Sequence, residues 1–135
     1  MNHTINLKTN RRIESIDITS KINEIISKSE LSSGVCIVYS PHTTSGIIIN
    51  ESYDPSVIED INVFLSKIVP YNNHYTHLEG NSDAHIKSSI IGSSKILIFE
   101  NRELLLGTWQ GVFFMEFDGP RSRNVVVKLI KTDFR

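Results

Sequence analysis

The run His77-Leu78-Glu79-Gly80-Asn81-Ser82-Asp83-Ala84-His85-Ile86-Lys87 places two imidazoles, two carboxylates, an amide and an ammonium in one short stretch. His42 stands apart, ahead of Thr43-Thr44-Ser45-Gly46. Neutral imidazole is a common zinc ligand, and three protein ligands with a water make an open catalytic site. The same ring transfers protons near neutral pH. His77 and His85 are not four residues apart, so the HExxH helical signature is absent. A site shared by His42, His77 and His85 therefore requires tertiary folding to assemble it. Local hydrogen bonding is the competing role for each ring, and His3 and His74 read as surface residues of that kind.

Around the histidines stand groups of several possible uses. Glu79 can orient an imidazole, ligate a metal or act as a general base; it can equally be a carboxylate favoured by a helix N-terminus, the role preferred for Asp83. Lys87 can neutralise phosphate or be a solvated cation. Asn50-Glu51-Ser52-Tyr53-Asp54-Pro55 lies where a buried strand ends and a helix begins. Asp54 has a structural role there as an N-cap, whereas Asn50 and Glu51 suit substrate or metal-shell contacts. Gly107-Thr108-Trp109-Gln110-Gly111 offers Trp109 for stacking and Gln110 for orientation, or else a strand bend with Trp109 in the core. Gly119-Pro120-Arg121-Ser122-Arg123 offers guanidinium groups to phosphate, or a charged hairpin turn. Gly-rich nucleotide loops are absent. Cys36, inside an apolar strand, reads as an inert thiol.

The elements that must position these groups follow from periodicity. Thr4–Lys8 alternates as a half-buried strand, and Ile13 and Ile16 flank a second strand or turn. Ile18, Ile22, Ile25 and Ile26 recur at helical spacing, with Thr19 or Ser20 as cap. Gly34–Tyr39 and Gly46–Asn50 are apolar and β-branched, hence strands. Asp54-Pro55 opens a helix striped by Val57, Ile58, Ile61, Phe64, Leu65 and Ile68, and Pro70 closes it. Ser82 or Asn81 starts a short helix that Gly92 stops after Ile91. Strands follow at 95–99, 104–106, 109–117 and 124–130. This order predicts a single α+β domain over 1–135, mainly antiparallel, with two or three helices.

Composition narrows the function classes. The 135 residues are 39% hydrophobic and 21% charged, which suits one globular core. A net charge of −1 argues against a nucleic-acid-binding module. The single cysteine precludes an intrachain disulfide. Neither a secretory signal nor a bilayer-length apolar run is present, so a cytoplasmic protein without membrane or nucleic-acid partners is expected.

Taken together and in order, His42-Thr43-Thr44-Ser45, Asn50–Pro55, His77–Asn81, Ala84–Ser89, Gly107–Gly111 and Gly119–Arg123 resemble the YjbQ-like family, also called the secondary thiamine-phosphate synthase family. Ser52 is a mild departure from the residues common at that position. The resemblance implies a compact α+β homotrimer with His42, His77 and His85 around a divalent metal such as zinc. It implies Glu51, Asp54, Glu79, Lys87 and Gln110 as pocket residues; with the residue chemistry above, Glu51, Glu79 and Lys87 are the expected catalytic groups, and Asn50, Trp109, Gln110 and Arg121 the expected substrate contacts. It further implies a transferase joining a pyrimidine pyrophosphate to a thiazole phosphate. The alternatives are a metal-dependent hydrolase of a small phosphorylated metabolite and a non-catalytic trimeric metabolite-binding protein.

Overall fold

The computed structural model describes residues 2–132. Their elements run β1 (Asn2–Lys8), β2 (Glu14–Asp17), α1 (Thr19–Lys28), β3 (Gly34–Tyr39), β4 (Ser45–Glu51), α2 (Pro55–Ile68), α3 (Ser82–Ile91), β5 (Ser94–Glu100), β6 (Glu103–Leu104), β7 (Gln110–Glu116) and β8 (Ser122–Lys131). Two sheets form, a five-stranded one ordered β1-β8-β3-β5-β6 and a three-stranded one ordered β2-β7-β4. Every paired neighbour is antiparallel. This is the α+β class expected, with three helices.

The layers follow from β7. Val112 and Phe114 enter one apolar cluster with Cys36, Val38, Leu97, Val127 and Leu129 of the larger sheet and Ile22 and Ile26 of α1. Phe113 and Met115, pointing the other way along the same strand, enter a second cluster with Ile58 and Leu65 of α2 and Ala84 of α3. Side chains alternate faces along a strand, so a strand buried on both faces must read as one apolar run, as Val112–Met115 does. The small sheet is thus the middle layer, between the large sheet and the α2–α3 pair. Full burial of a side chain such as Phe114 stabilises by roughly 1.5–3 kcal/mol.

Local chemistry sets the element ends. At α2, Asp54 Oδ1 accepts from the Ser56 N–H at 2.9 Å and Pro55 occupies the first turn. The start of α1 differs from expectation: neither Thr19 nor Ser20 is the cap. Asp17 Oδ1 accepts from the Thr19 N–H at 2.9 Å and from its hydroxyl at 2.6 Å, while Thr19 Oγ1 accepts from the Val112 N–H. The expected strand 104–106 reduces to Glu103–Leu104, because Asn101 (φ 54°) and Arg102 (φ 66°) form a two-residue hairpin turn and Leu105 emerges to solvent. Among the described residues no helix is long and apolar enough to cross a membrane.

Candidate functional site

Four segments meet at the N-terminus of α3. The loop between β1 and β2 brings Arg12, whose guanidinium donates to both carboxylate oxygens of Asp83 at 3.1 and 2.8 Å. The segment before α3 brings His77 and Glu79, and α3 itself brings His85. The turn between β7 and β8 brings Asp118 and Arg121, paired at 2.9 Å, and Asp118 also accepts from the Asn81 amide at 2.9 Å. Gly80, at φ 79°, turns the chain into the helix through a conformation that side-chain-bearing residues rarely adopt.

The two imidazoles of this region lie together. The His77 and His85 rings meet edge to face with centroids 5.3 Å apart, and the Glu79 carboxylate is 3.8 Å from His77 Nε2. These groups are accessible, whereas the platform beneath them is buried and ionic. Asp83 is fully buried and stands 3.7 Å from the Lys87 ammonium, itself almost completely buried. Lys87 also donates to Ser66 Oγ at 3.0 Å, and burial pushes its pKa down against the opposing pull of Asp83. Burial acts to raise Asp118, but hydrogen bonds from Asn81 and Arg121 outweigh it and hold the carboxyl below its ordinary value.

The helix start carries unmet hydrogen-bonding capacity. Asn81 occupies the cap position without a side-chain capping bond, because its amide is turned to Asp118. Its Oδ1 and the Ser82 hydroxyl oxygen are buried without partners. An α-helix leaves its first N–H groups free and its N-terminus positive, and the Asp83 carboxylate in the first turn offsets part of that charge.

His42 is placed elsewhere. It lies between β3 and β4, with Nε2 3.0 Å from the Asn124 N–H of β8 as acceptor. Nearby, Arg123 donates through Nε to Glu116 at 2.8 Å and through Nη2 to Thr44 Oγ1 at 2.7 Å; Thr9 adds a 2.8 Å hydroxyl bond to Glu116. Burial and the Arg123 charge push the His42 pKa below its ordinary value. Among the described residues no three His, Cys, Asp or Glu side chains are grouped to hold a metal ion. The donors of a single chain therefore do not form the fitted three-histidine centre that the resemblance implied.

The expected site residues divide into separate places. His77, His85, Glu79 and Arg121 surround the α3 N-terminus. Lys87 lies beneath it in the buried ion network, where Asp83 and Ser66 occupy its ammonium. Asn50, Glu51, Trp109 and Gln110 gather where β4 leaves and β7 begins, with Asn50 opposite Gly111 and Glu51 opposite Gln110. There Asn50 Oδ1 accepts from the Glu51 N–H at 2.7 Å, and Gln110 Oε1 accepts from the Gly107 N–H at 2.8 Å. Trp109 is 56% exposed, which excludes the core alternative. Gly111 answers a packing need instead: a Cβ there would lie 2.6 Å from the Ser52 Cβ.

Sequence reasoning missed Arg12, Asn81, Glu116 and Asp118. The pairing of Arg12 with Asp83 joins residues 71 positions apart and leaves no spacing signal. Asn81 was weighed only as a cap, and the short charged turn around Asp118 gave only a weak hint.

Comparison with known proteins places the chain. The UPF0047 protein YjbQ-like family matches residues 3–132. A UPF0047 protein of Methanocaldococcus jannaschii is 56% identical over 92% of this chain and 90% of its own length. The UPF0047 protein YugU of Bacillus subtilis is 44% identical over 94% and 97%. An uncharacterized conserved protein of the same family from Clostridium acetobutylicum has a crystal structure with TM-score 0.93, at 51% identity, covering 95% of this chain and 99% of that one. A Sulfolobus solfataricus structure, described as a YbjQ-like protein of unknown function, has TM-score 0.93 at 28% identity, covering 97% and 96%.

These findings correct the expected transferase. The relatives carry a family designation without an activity, the Sulfolobus protein is described as of unknown function, and among the described residues His42 does not join His77 and His85 in a three-ligand group. Thiamine phosphate synthesis therefore has no support here. The likeness in sequence and backbone extends over nearly the whole molecule, and the chain belongs to the UPF0047 YjbQ-like family.

Proposed function

We propose that the N-terminus of α3 binds a small phosphorylated metabolite, with His77, His85 and Glu79 as the groups that exchange protons with it. The observation that carries this reading is the convergence of Arg12, Arg121 and two imidazoles on a helix start whose cap position makes no side-chain capping bond. Phosphate is favoured at such a start, because backbone N–H groups and the helix dipole both face it. The salt bridges to Asp83 and Asp118 hold the two guanidiniums in place, and each guanidinium has five N–H donors, more than its carboxylate engages.

Self-association accompanies this reading. The outer face of the large sheet exposes Tyr39, Ile96, Ile98 and Ile130, and apolar patches of this kind mark contacts between proteins. A homotrimer built on that face is the assembly we propose.

Thermal unfolding in the presence of inorganic pyrophosphate tests the binding reading. The expected result is a concentration-dependent rise in Tm, as for any ligand that binds only the folded state, reduced in Arg121→Ala. An unchanged Tm at millimolar pyrophosphate contradicts it.

A further inference from the structure

A groove of about 820 Å³ runs between α2 and the three-stranded sheet, with Glu14, Asp17, Glu51 and Glu59 on its walls and Arg11 the one cation among the described residues that line it. A hollow of about 500 Å³ continues it, since Glu51 and Pro55 line both, and adds Tyr53, Asp54 and Trp109. The Tyr53 and Trp109 rings stand 5.3 Å apart at 66°, exposed by 78% and 56%. In this edge-to-face pair the edge of one ring covers one face of the other, and the faces still open to solvent attract cations.

The carboxylates are only partly committed. Asp54 and Asp17 each use Oδ1 at a helix start, leaving Oδ2 free. The Glu59 carboxylate makes no hydrogen bond or ion pair among the described residues. Drug-sized pockets have volumes of roughly 300–1,000 Å³, so the space suits a small molecule.

We propose that this groove binds a linear organic cation carrying two or more ammonium groups. One ammonium rests on the open faces of Trp109 and Tyr53 beside Glu51 and Asp54, and another lies between the Asp17 and Glu59 walls. The site is separate from the α3 N-terminus and does not rest on the reading given for it.

Trp109 is the only tryptophan in the chain, so its emission reports on this site alone. The test is a spermidine titration at low ionic strength, followed by Trp109 fluorescence and by calorimetry. Saturable binding is expected, at least tenfold weaker in Glu51→Gln/Glu59→Gln and in Trp109→Ala read by calorimetry. It is expected to be unchanged in Arg121→Ala, which separates it from phosphate binding. Three results overturn the proposal: no saturation at millimolar spermidine, equal affinity in the acidic-residue variant, or binding of tetralysine peptide without binding of spermidine. The last outcome assigns the groove to a basic peptide instead.

Discussion

At the residue scale, the strongest positional demand falls on Asp83. It answers Arg12 and Lys87 at once, and Lys87 is too buried for water to replace a lost counter-charge. Removing one partner of a buried pair costs about 3–5 kcal/mol. Arg12 remains partly solvated, so Asp83→Asn is expected at the lower end, about 3 kcal/mol, measured by urea unfolding. His42 makes a different prediction. Its folded-state pKa lies below the ordinary value of about 6.5 because burial and Arg123 disfavour the imidazolium. As pH falls through the unfolded value, the unfolded chain binds the proton first, so the stability of the folded state declines. Tm measured from pH 7.5 to 5 is expected to fall less steeply in His42→Gln than in the native protein. Equal slopes contradict the assignment. The sequence made the histidines visible as candidates by type, but not their separation: His42 is held by a backbone N–H, an interaction that leaves no side-chain signature.

At the element scale, legibility depended on how local the cause was. Helix α2 was readable because cap, first-turn proline, apolar stripe and terminator all lie in one segment. Asp54→Ala is expected to lower the denaturation midpoint, as loss of an N-cap does. An unchanged midpoint removes the capping role. Helix α1 was readable as a helix and misread at its start, because Asp17 lies two residues upstream of Thr19 and the Thr19 hydroxyl is drawn to β7. The end of α3 was marked by Gly92. Its beginning was not understood, because Asn81 turns away from the helix toward a carboxylate from the β7–β8 turn. That long-range contact is what leaves the helix start without a side-chain cap.

At the scale of the whole molecule, alternating apolar and polar positions and the strand-rich second half pointed to an antiparallel α+β fold. The division into two sheets follows from β7, whose apolar run demanded a partner on each face. The outer face of the large sheet is one apolar surface that this scheme leaves exposed. Replacing Ile96 at its centre with Lys is expected to shift sedimentation from the assembled species to a monomer with little change in fold. An unchanged sedimentation coefficient contradicts self-association through this face. The functional groups likewise sort by layer: the imidazole pair and arginines at the start of α3, the aromatic and acidic groove beside α2, and His42 against β8. The most direct measurement of the central claim is a phosphate titration of isotopically labelled protein, followed by backbone amide NMR. The account predicts saturable shifts concentrated at Ser82, Asp83 and His85, with Arg12 and Arg121 side chains responding. Shifts absent from α3, or scattered over the surface without saturation, contradict it.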